Sequence, residues 1–268
     1  MFDKVYFLGD IHGRVPRSIK NLQKTAEANN EHYAVILLGD VGTNYYGDER
    51  DNVLKDDLAK RKNLTFYCLR GNHEMRPKDY NIPIVLNEDV IQDVYQEEEY
   101  PTINYLIDGK MYDFNGYEVL AIGGAYSVDK FYRLSNGWSW FANEQLTTKE
   151  MEAIFEYWKD DGYVDIVISH TCPFEWQPTD LFLPEINQST VDNTMEVWME
   201  ELANAVQWNI WLWGHYHADR IEAPHCEMFY YEVEDLESIE ARWKKYDETG
   251  ELDWWLPVSP SMSKIVNK

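Results

Sequence analysis

Eight side chains in this sequence have the chemistry to hold metal ions together: Asp10, His12, Asp40, Asn72, His73, His170, His215 and His217. Carboxylates and imidazoles with one amide oxygen form a mixed oxygen and nitrogen donor set, suited to Mn, Fe, Zn or Ni rather than to Ca. Thiolate is absent from it. The chain has 7 histidines, and this set leaves only His32 and His225 outside it. Chance would scatter them more widely. Taken singly, L-G-D-I-H-G (Leu8 to Gly13) could be a polar turn, so the weight lies in the recurrence of the pattern.

That recurrence has a structural frame. K-V-Y-F-L precedes Gly9-Asp10, Y-A-V-I-L-L precedes Gly39-Asp40, and L-T-F-Y-C-L-R precedes Gly71-Asn72-His73. Further on, V-D-I-V-I precedes Ser169-His170 and N-I-W-L-W precedes Gly214-His215. Runs of this length, rich in Val, Ile and aromatics and closed by Gly or Ser, read as buried strands. Helical patterns, about Ser18 to Asn29 and Asp51 to Arg61, separate the first three. That alternation predicts βαβ units and a parallel sheet. In open α/β sheets ligands gather beyond the carboxyl ends of the strands, which is where each polar terminus falls.

The middle of the chain reads differently. Between Ile103 and Gly124, Asp108-Gly109 and Asn115-Gly116 sit between alternating runs and predict hairpins of a second, antiparallel sheet. Thr147 and Glu150 form a capping box opening a helix toward Trp158, and a second amphipathic helix is expected from about Thr194 to Val206. A last strand over Met228 to Val233 leads into a helix near Leu236 to Tyr246. The expected organisation is one domain over residues 1–250 followed by an extended tail over 251–268, which contains Pro257 and Pro260.

Composition narrows the function classes. A net charge of -24 disfavours a long nucleic acid, whose binding depends on Lys and Arg displacing counterions. The sequence has neither a secretion signal at its start nor an apolar run of membrane-spanning length, so no membrane association is expected. Cys68, Cys172 and Cys226 are odd in number and widely spaced, which suits a reducing cytoplasm.

The ordered motifs G-D-I-H, G-D, G-N-H-E, S-H and G-H-Y-H resemble those of the calcineurin-like metallophosphoesterase superfamily, and the resemblance spans Asp10 to His217. It implies an α/β fold, a two-sheet βαβ sandwich flanked by helices in four α/β/β/α layers. It also implies two divalent transition-metal ions, with Mn first and Fe, Zn or Ni compatible. Carried over by position, Asp10, His12, Asp40 and His217 would hold one metal. Asp40, Asn72, His170 and His215 would hold the second, with Asp40 bridging. His73 would face the substrate and assist the leaving oxygen. The implied activity is hydrolysis of a phosphomonoester or phosphodiester by a metal-bridging hydroxide, on a small phosphorylated substrate. Two dications against two carboxylates and one hydroxide leave a net positive centre, while surface acids beyond about 8 Å are screened at physiological salt. The alternative is a catalytically silent scaffold or binding protein on the same fold. A Ser/Thr protein phosphatase or a nuclease ranks below both, and the oligomeric state is left open.

One departure from the resemblance matters. The phosphoprotein-phosphatase branch has G-D-x-x-D-R, whose Asp supports the catalytic His and whose Arg grips phosphate, whereas this chain has G-D-V-G-T-N, with Thr43 and Asn44 at those places. Asn44 and the cations Arg14, Arg76 and Arg133 are candidates for substrate contact. Two stretches are candidate substrate walls: Ala125 to Phe141, with Tyr126, Lys130, Arg133, Trp138 and Trp140, and the Pro-rich Thr171 to Asn193. Glu74, Asp165 and Asp219 read as supporting residues.

Overall fold

The computed structural model describes residues 1–160, 162–252 and 256–266. Its first half runs β1 (Lys4–Leu8), α1 (Arg17–Asn29), β2 (Tyr33–Leu37), α2 (Asn52–Ala59), β3 (Leu64–Cys68), β4 (Ile84–Asn87), β5 (Gln92–Gln96) and β6 (Ile103–Tyr105). There follow β7 (Met111–Phe114), β8 (Tyr117–Ile122), α3 (Lys130–Ser135), α4 (Thr148–Trp158), β9 (Tyr163–Ser169), α5 (Thr194–Ala205) and β10 (Gln207–Trp213). The chain ends with β11 (Arg220–Ala223), β12 (Cys226–Met228), β13 (Val233–Asp235), α6 (Leu236–Thr249) and α7 (Pro260–Val266).

Among the described residues the strands form two mixed sheets, ordered β13-β1-β2-β3-β6-β5-β4 and β11-β12-β10-β9-β8-β7. The strands that end in the metal-binding motifs are parallel to their neighbours: β1 to β2, β2 to β3, and β9 to β10. Their carboxyl ends therefore point the same way within each sheet. Phe7, Ile36, Tyr67, Ala121, Ile168 and Leu212 fill the space between the sheets. The outer face of the first sheet is covered by Ile19, Leu22 and Ala26 of α1 and by Leu54 and Leu58 of α2. Met151, Ile154 and Trp158 of α4 with Met195, Met199 and Leu202 of α5 cover the second. The result is four layers, α/β/β/α, and each such buried aliphatic side chain contributes about 1.5–3 kcal/mol. The Thr147–Glu150 capping box forms as expected at the start of α4. A buried ion network locks the sheets together at one end, where Arg242 of α6 grips Glu227 of β12 (2.6 Å) and Glu234 of β13.

Four expectations are corrected. Asn115-Gly116, both at positive φ, closes the β7–β8 hairpin, but Asp108-Gly109 closes none. It carries the chain from one sheet to the other, and Asp108 instead ties Gly123 N (2.7 Å) to the Arg70 guanidinium (3.1 Å). The second sheet is accordingly mixed rather than antiparallel, since β8 pairs in parallel with β9. The single strand expected over Met228 to Val233 is two short strands belonging to different sheets, β12 and β13. Within the tail expected to be extended, residues 260–266 form α7, and Leu252, Leu256 and Met262 are buried in the inter-sheet core. Pro260 is at the first position of that helix, where its missing N–H costs nothing. Residues 253–255 and 267–268 of the expected tail lie outside the described residues.

Candidate metal centre

The loops that leave β1, β2, β3, β9 and β10 bring the side chains of Asp10, His12, Asp40, Asn72, His73, His170, His215 and His217 into one cluster. The local backbone is held in an uncommon conformation to do so. His12, Asp40, His215 and His217 all have positive φ, a region that costs a non-glycine residue on the order of 1–3 kcal/mol. The turns are also crowded. A Cβ on Gly39, itself at φ +100°, would run into the His170 ring, and one on Gly214 would run into the Asp10 carboxylate. Only glycine lets the backbone pass so close to the side chains of the neighbouring loops.

On one side of the cluster His12 Nε2 and His217 Nε2 approach to 2.8 Å, and His217 Nε2 lies 3.2 Å from Asp10 Oδ2. Asp10 Oδ1 accepts from His215 N at 3.0 Å, while Oδ2 is buried with no hydrogen-bond partner. Tyr230 stacks on the His217 ring, with centroids 4.7 Å apart. The loop carrying Tyr230 is fixed by Asp219, whose carboxylate accepts from the N–H groups of Tyr230, Tyr231 and Glu232. On the other side His170 Nε2 lies 2.9 Å from Asn72 Oδ1 and 3.5 Å from Asp40 Oδ1. His170 Nδ1 donates to Leu38 O (2.8 Å), which leaves Nε2 with its lone pair toward the cluster. His215 meets His170 edge-on at 5.0 Å between centroids. Asn72 is oriented by Ser127, which accepts from its amide at 2.8 Å and is in turn held by Glu144 through both N–H and hydroxyl.

Asp40 stands between the two sides. Burial pushes its carboxyl up, but the imidazoles of His73, His170 and His12 outweigh this and hold it below the usual carboxylate range. Burial lowers His12 and, more strongly, His215, so both rings stay neutral and keep a lone pair to donate. In His217 burial acts downward too, but the carboxylates of Asp10 and Asp40 outweigh it and the ring is raised. Glu74 lies behind the cluster, accepting from Gly71 N (3.0 Å) and Gly42 N (3.1 Å), which joins the loops after β2 and β3. Its burial, and then the charge of Asp40, push its carboxyl up to about 7.

His73 is clamped from outside the motifs. Its Nδ1 lies 3.3 Å from Asp40 Oδ2 and 2.9 Å from a guanidinium nitrogen of Arg133, and its Nε2 lies 3.7 Å from Asp129 Oδ1. Arg133 also pairs with Asp129 (2.8 Å), one turn apart at the start of α3. Burial lowers the His73 pKa, but the carboxylates of Asp40 and Asp129 override it and raise the ring above its ordinary value. A guanidinium can only donate, so in the neutral ring Nδ1 accepts and the proton sits on Nε2, beside Asp129.

Of the four residues expected to contact substrate, Arg133 alone has a side chain bonded to this cluster. Arg14 is exposed beyond Ile11. Arg76 is buried elsewhere, its guanidinium bound to Glu150 (2.7 Å), Asn143 O and Gln145 O, so a role on substrate is replaced by one in anchoring α4. Asn44 is buried, with its backbone carbonyl accepting from Met75 N (2.9 Å). Asp165 accepts from Glu118 N and Tyr163 OH, far along β9 from the motif. In the expected walls, Tyr126 borders the cleft, whereas Trp138 packs edge-on against Tyr132 and Trp140 lies under the Lys130 ammonium. The reading of the motifs missed Asp129, Ser127, Glu144 and Tyr230. Only the Asp129/Arg133 spacing of four in V-D-K-F-Y-R offered a signal, a helical ion pair.

The donors fit a pair of divalent transition ions. A buried carboxylate oxygen without a partner, Asp10 Oδ2, faces two imidazole nitrogens, and three triads have donor atoms within 4.8 Å of one another: Asp10/His12/His217, His12/Asp40/His73 and Asp10/Asp40/His170. Imidazole nitrogens and carboxylate oxygens gathered at this spacing are the donor types such ions take.

A family model described as calcineurin-like phosphoesterase matches residues 3–219. A solved crystal structure superposes with TM-score 0.49 at 13% sequence identity, over 89% of this chain and 96% of that one. No curated protein matches in sequence.

Proposed function

The chain belongs to the calcineurin-like phosphoesterase family, and from that premise we propose that it hydrolyses a small phosphomonoester or phosphodiester with two divalent metal ions. One observation carries the reading: donors from five strand ends, belonging to both sheets, converge with Asp40 between the two sides. Asp10, His12, Asp40 and His217 are assigned to one ion and Asp40, Asn72, His170 and His215 to the other, with manganese as the first choice. When bound, such ions supply Lewis acidity toward a phosphoryl group and lower the pKa of water.

The chain's own residues do the rest. Ser127 and Glu144 hold the Asn72 amide, and Leu38 O fixes the His170 tautomer. In its imidazolium form, which Asp40 and Asp129 favour, His73 gives its Nε2 proton to the departing alkoxide oxygen and is left as the neutral ring. Asp129 and Arg133 hold the ring from opposite edges and do the work that Thr43 and Asn44 cannot. The acidic surface repels long polyanions, which favours a small substrate. The three free, buried cysteines suit a cytoplasmic protein, and no helix among the described residues is long and apolar enough to cross a membrane.

The deciding experiment loads the protein with Mn and assays p-nitrophenyl phosphate and bis(p-nitrophenyl) phosphate. Hydrolysis of at least one, lost in Asp40→Ala, supports the reading. Absence of hydrolysis of both sinks it.

A further inference from the structure

The cluster opens on one side into a cleft of about 350 Å³, larger than a water site and within the range of small-molecule pockets. Its near wall is the cluster itself, through Asp40, Asn72, His73, His215 and His217. Its far wall is apolar and comes from the loop between β9 and α5: Leu181, Phe182, Leu183, Ile186 and Val191. Phe182 stacks nearly parallel to Tyr216, at 6.3 Å and 21°, which gives that wall a flat face. Gln177, Gln188 and Asn193 add neutral amides along it.

The distribution of charge across this cleft is one-sided. Among its described lining residues no Lys or Arg occurs, while Asp129 and Glu196 do. Glu196 Oε1 is taken by Thr171 Oγ1 (2.9 Å), and Oε2 is buried without a partner. The nearby cations are committed elsewhere: Lys130 sits 3.9 Å over the Trp140 ring, Arg133 pairs with Asp129 and His73, and Arg220 is held by Asp180 and Glu222. A phosphoryl group seated at the cluster sends the rest of its ester along the apolar wall. A second phosphate placed along the apolar wall would find no free cation there, since the Arg133 guanidinium is already taken by Asp129 and His73, and its burial would be costly. An uncharged ring would instead cover Leu181, Phe182 and Ile186 and stack on a flat surface.

Resting on the phosphoesterase reading, we propose that this cleft is a leaving-group pocket selecting an uncharged, ring-sized alcohol that carries a single phosphoryl group, and rejecting polyphosphate chains. An aryl alcohol and a nucleoside share that chemistry. The selection is by burial and by absence of cations, so it should be reversible by adding one.

Two measurements test it. In the first, the Mn-loaded protein is compared on 1-naphthyl phosphate, adenosine 5′-monophosphate, adenosine 5′-diphosphate and glycerol 3-phosphate. At least one ring monoester should exceed both the diphosphate and the glycerol ester by about 10-fold or more in kcat/KM, and Leu181→Arg should narrow the gap to the diphosphate by about 10-fold. Whichever ring wins identifies the alcohol. Equal rates on all four, or a ratio that Leu181→Arg leaves unmoved, overturn the proposal while leaving the phosphoesterase reading intact. In the second, binding of 1-naphthol and of adenosine to the metal-free protein is followed by tryptophan fluorescence. Saturable binding weakened by Phe182→Ala supports the pocket even if no ester is hydrolysed, an outcome that would remove the phosphoesterase reading alone; no saturable binding of either counts against the pocket.

Discussion

Asp129 Oδ1 lies 3.7 Å from His73 Nε2 and is buried without a conventional hydrogen-bond partner, while the other oxygen of the same carboxylate is held by Arg133. The pair joins α3, which contains none of the recurring motifs, to the loop after β3, which contains the most diagnostic one. A carboxylate fixed in this way orients the ring and favours its protonated form, so it acts through His73 rather than on substrate. Asp129→Ala is expected to lower kcat about 10- to 100-fold on an alkyl phosphate, whose leaving oxygen needs a proton, and far less on p-nitrophenyl phosphate. In a His73→Ala background the same substitution should do nothing further. Equal losses on both esters, or additive losses in the double variant, would remove Asp129 from this role.

Asp40 brings negative charge to the place where three imidazoles meet, which makes it the donor whose loss most weakens a cation site. Added Mn at about 100 times its dissociation constant should stabilise the native protein by about 2.7 kcal/mol. For a chain of this size that corresponds to a rise in Tm of roughly 5–10 °C. The rise should collapse in Asp40→Ala, read by thermal unfolding with and without Mn and by elemental analysis. A variant that keeps both the rise and the bound metal contradicts the assignment.

Gly39 is needed twice over, for its φ of +100° and because the space where its Cβ would go is filled by the His170 ring. Gly39→Ala is expected to destabilise the metal-free protein by about 2–4 kcal/mol, the sum of backbone strain and a displaced, buried ring. It should also weaken metal binding, because His170 loses its bond to Leu38 O. Urea unfolding of the metal-free variant is the check; a change below about 0.5 kcal/mol would mean that the turn relaxes freely.

How much of this could be read in the chain itself follows from the range of each signal. β1, β2, β3, β9 and β10 were legible because each is apolar through its buried carboxyl-terminal residues, and the clustering of the Asp and His side chains was legible because each lies in the loop that follows one. The β4–β5 hairpin was not: β4 has no buried residue, so its sequence lacks the pattern that burial imposes. Asp108-Gly109 misled because the same dipeptide that closes a hairpin also serves wherever a glycine must take positive φ, here between sheets. Asp129, Ser127 and Tyr230 escaped because their partners, His73, Asn72 and His217, lie remote in sequence and meet them only through packing. Arg76 misled in the opposite way, since proximity in sequence to Asn72 and His73 says nothing of where a long side chain ends.

The pairing of Arg76 with Glu150 offers a test of stability that does not involve the metal centre. Glu150 closes the capping box of α4 and holds the buried Arg76 guanidinium at 2.7 Å. Although partial burial works upward, its bonds to Thr147 and Arg76 bring its carboxyl down to about 2 from an ordinary 4.5. A carboxyl depressed on folding stabilises the native state above its unfolded pKa and loses that contribution as pH falls through the folded one. Glu150→Gln should therefore cost about 1–2 kcal/mol at pH 7, a figure reduced for solvent screening because the side chain is 34% exposed. The difference between wild type and variant should begin to shrink near pH 4.5 and approach zero near pH 2. Urea midpoints measured for both proteins from pH 7 down to pH 3 give the trend; a difference that stays constant, or widens toward acid, would show that the carboxylate charge is not what holds Arg76 in place.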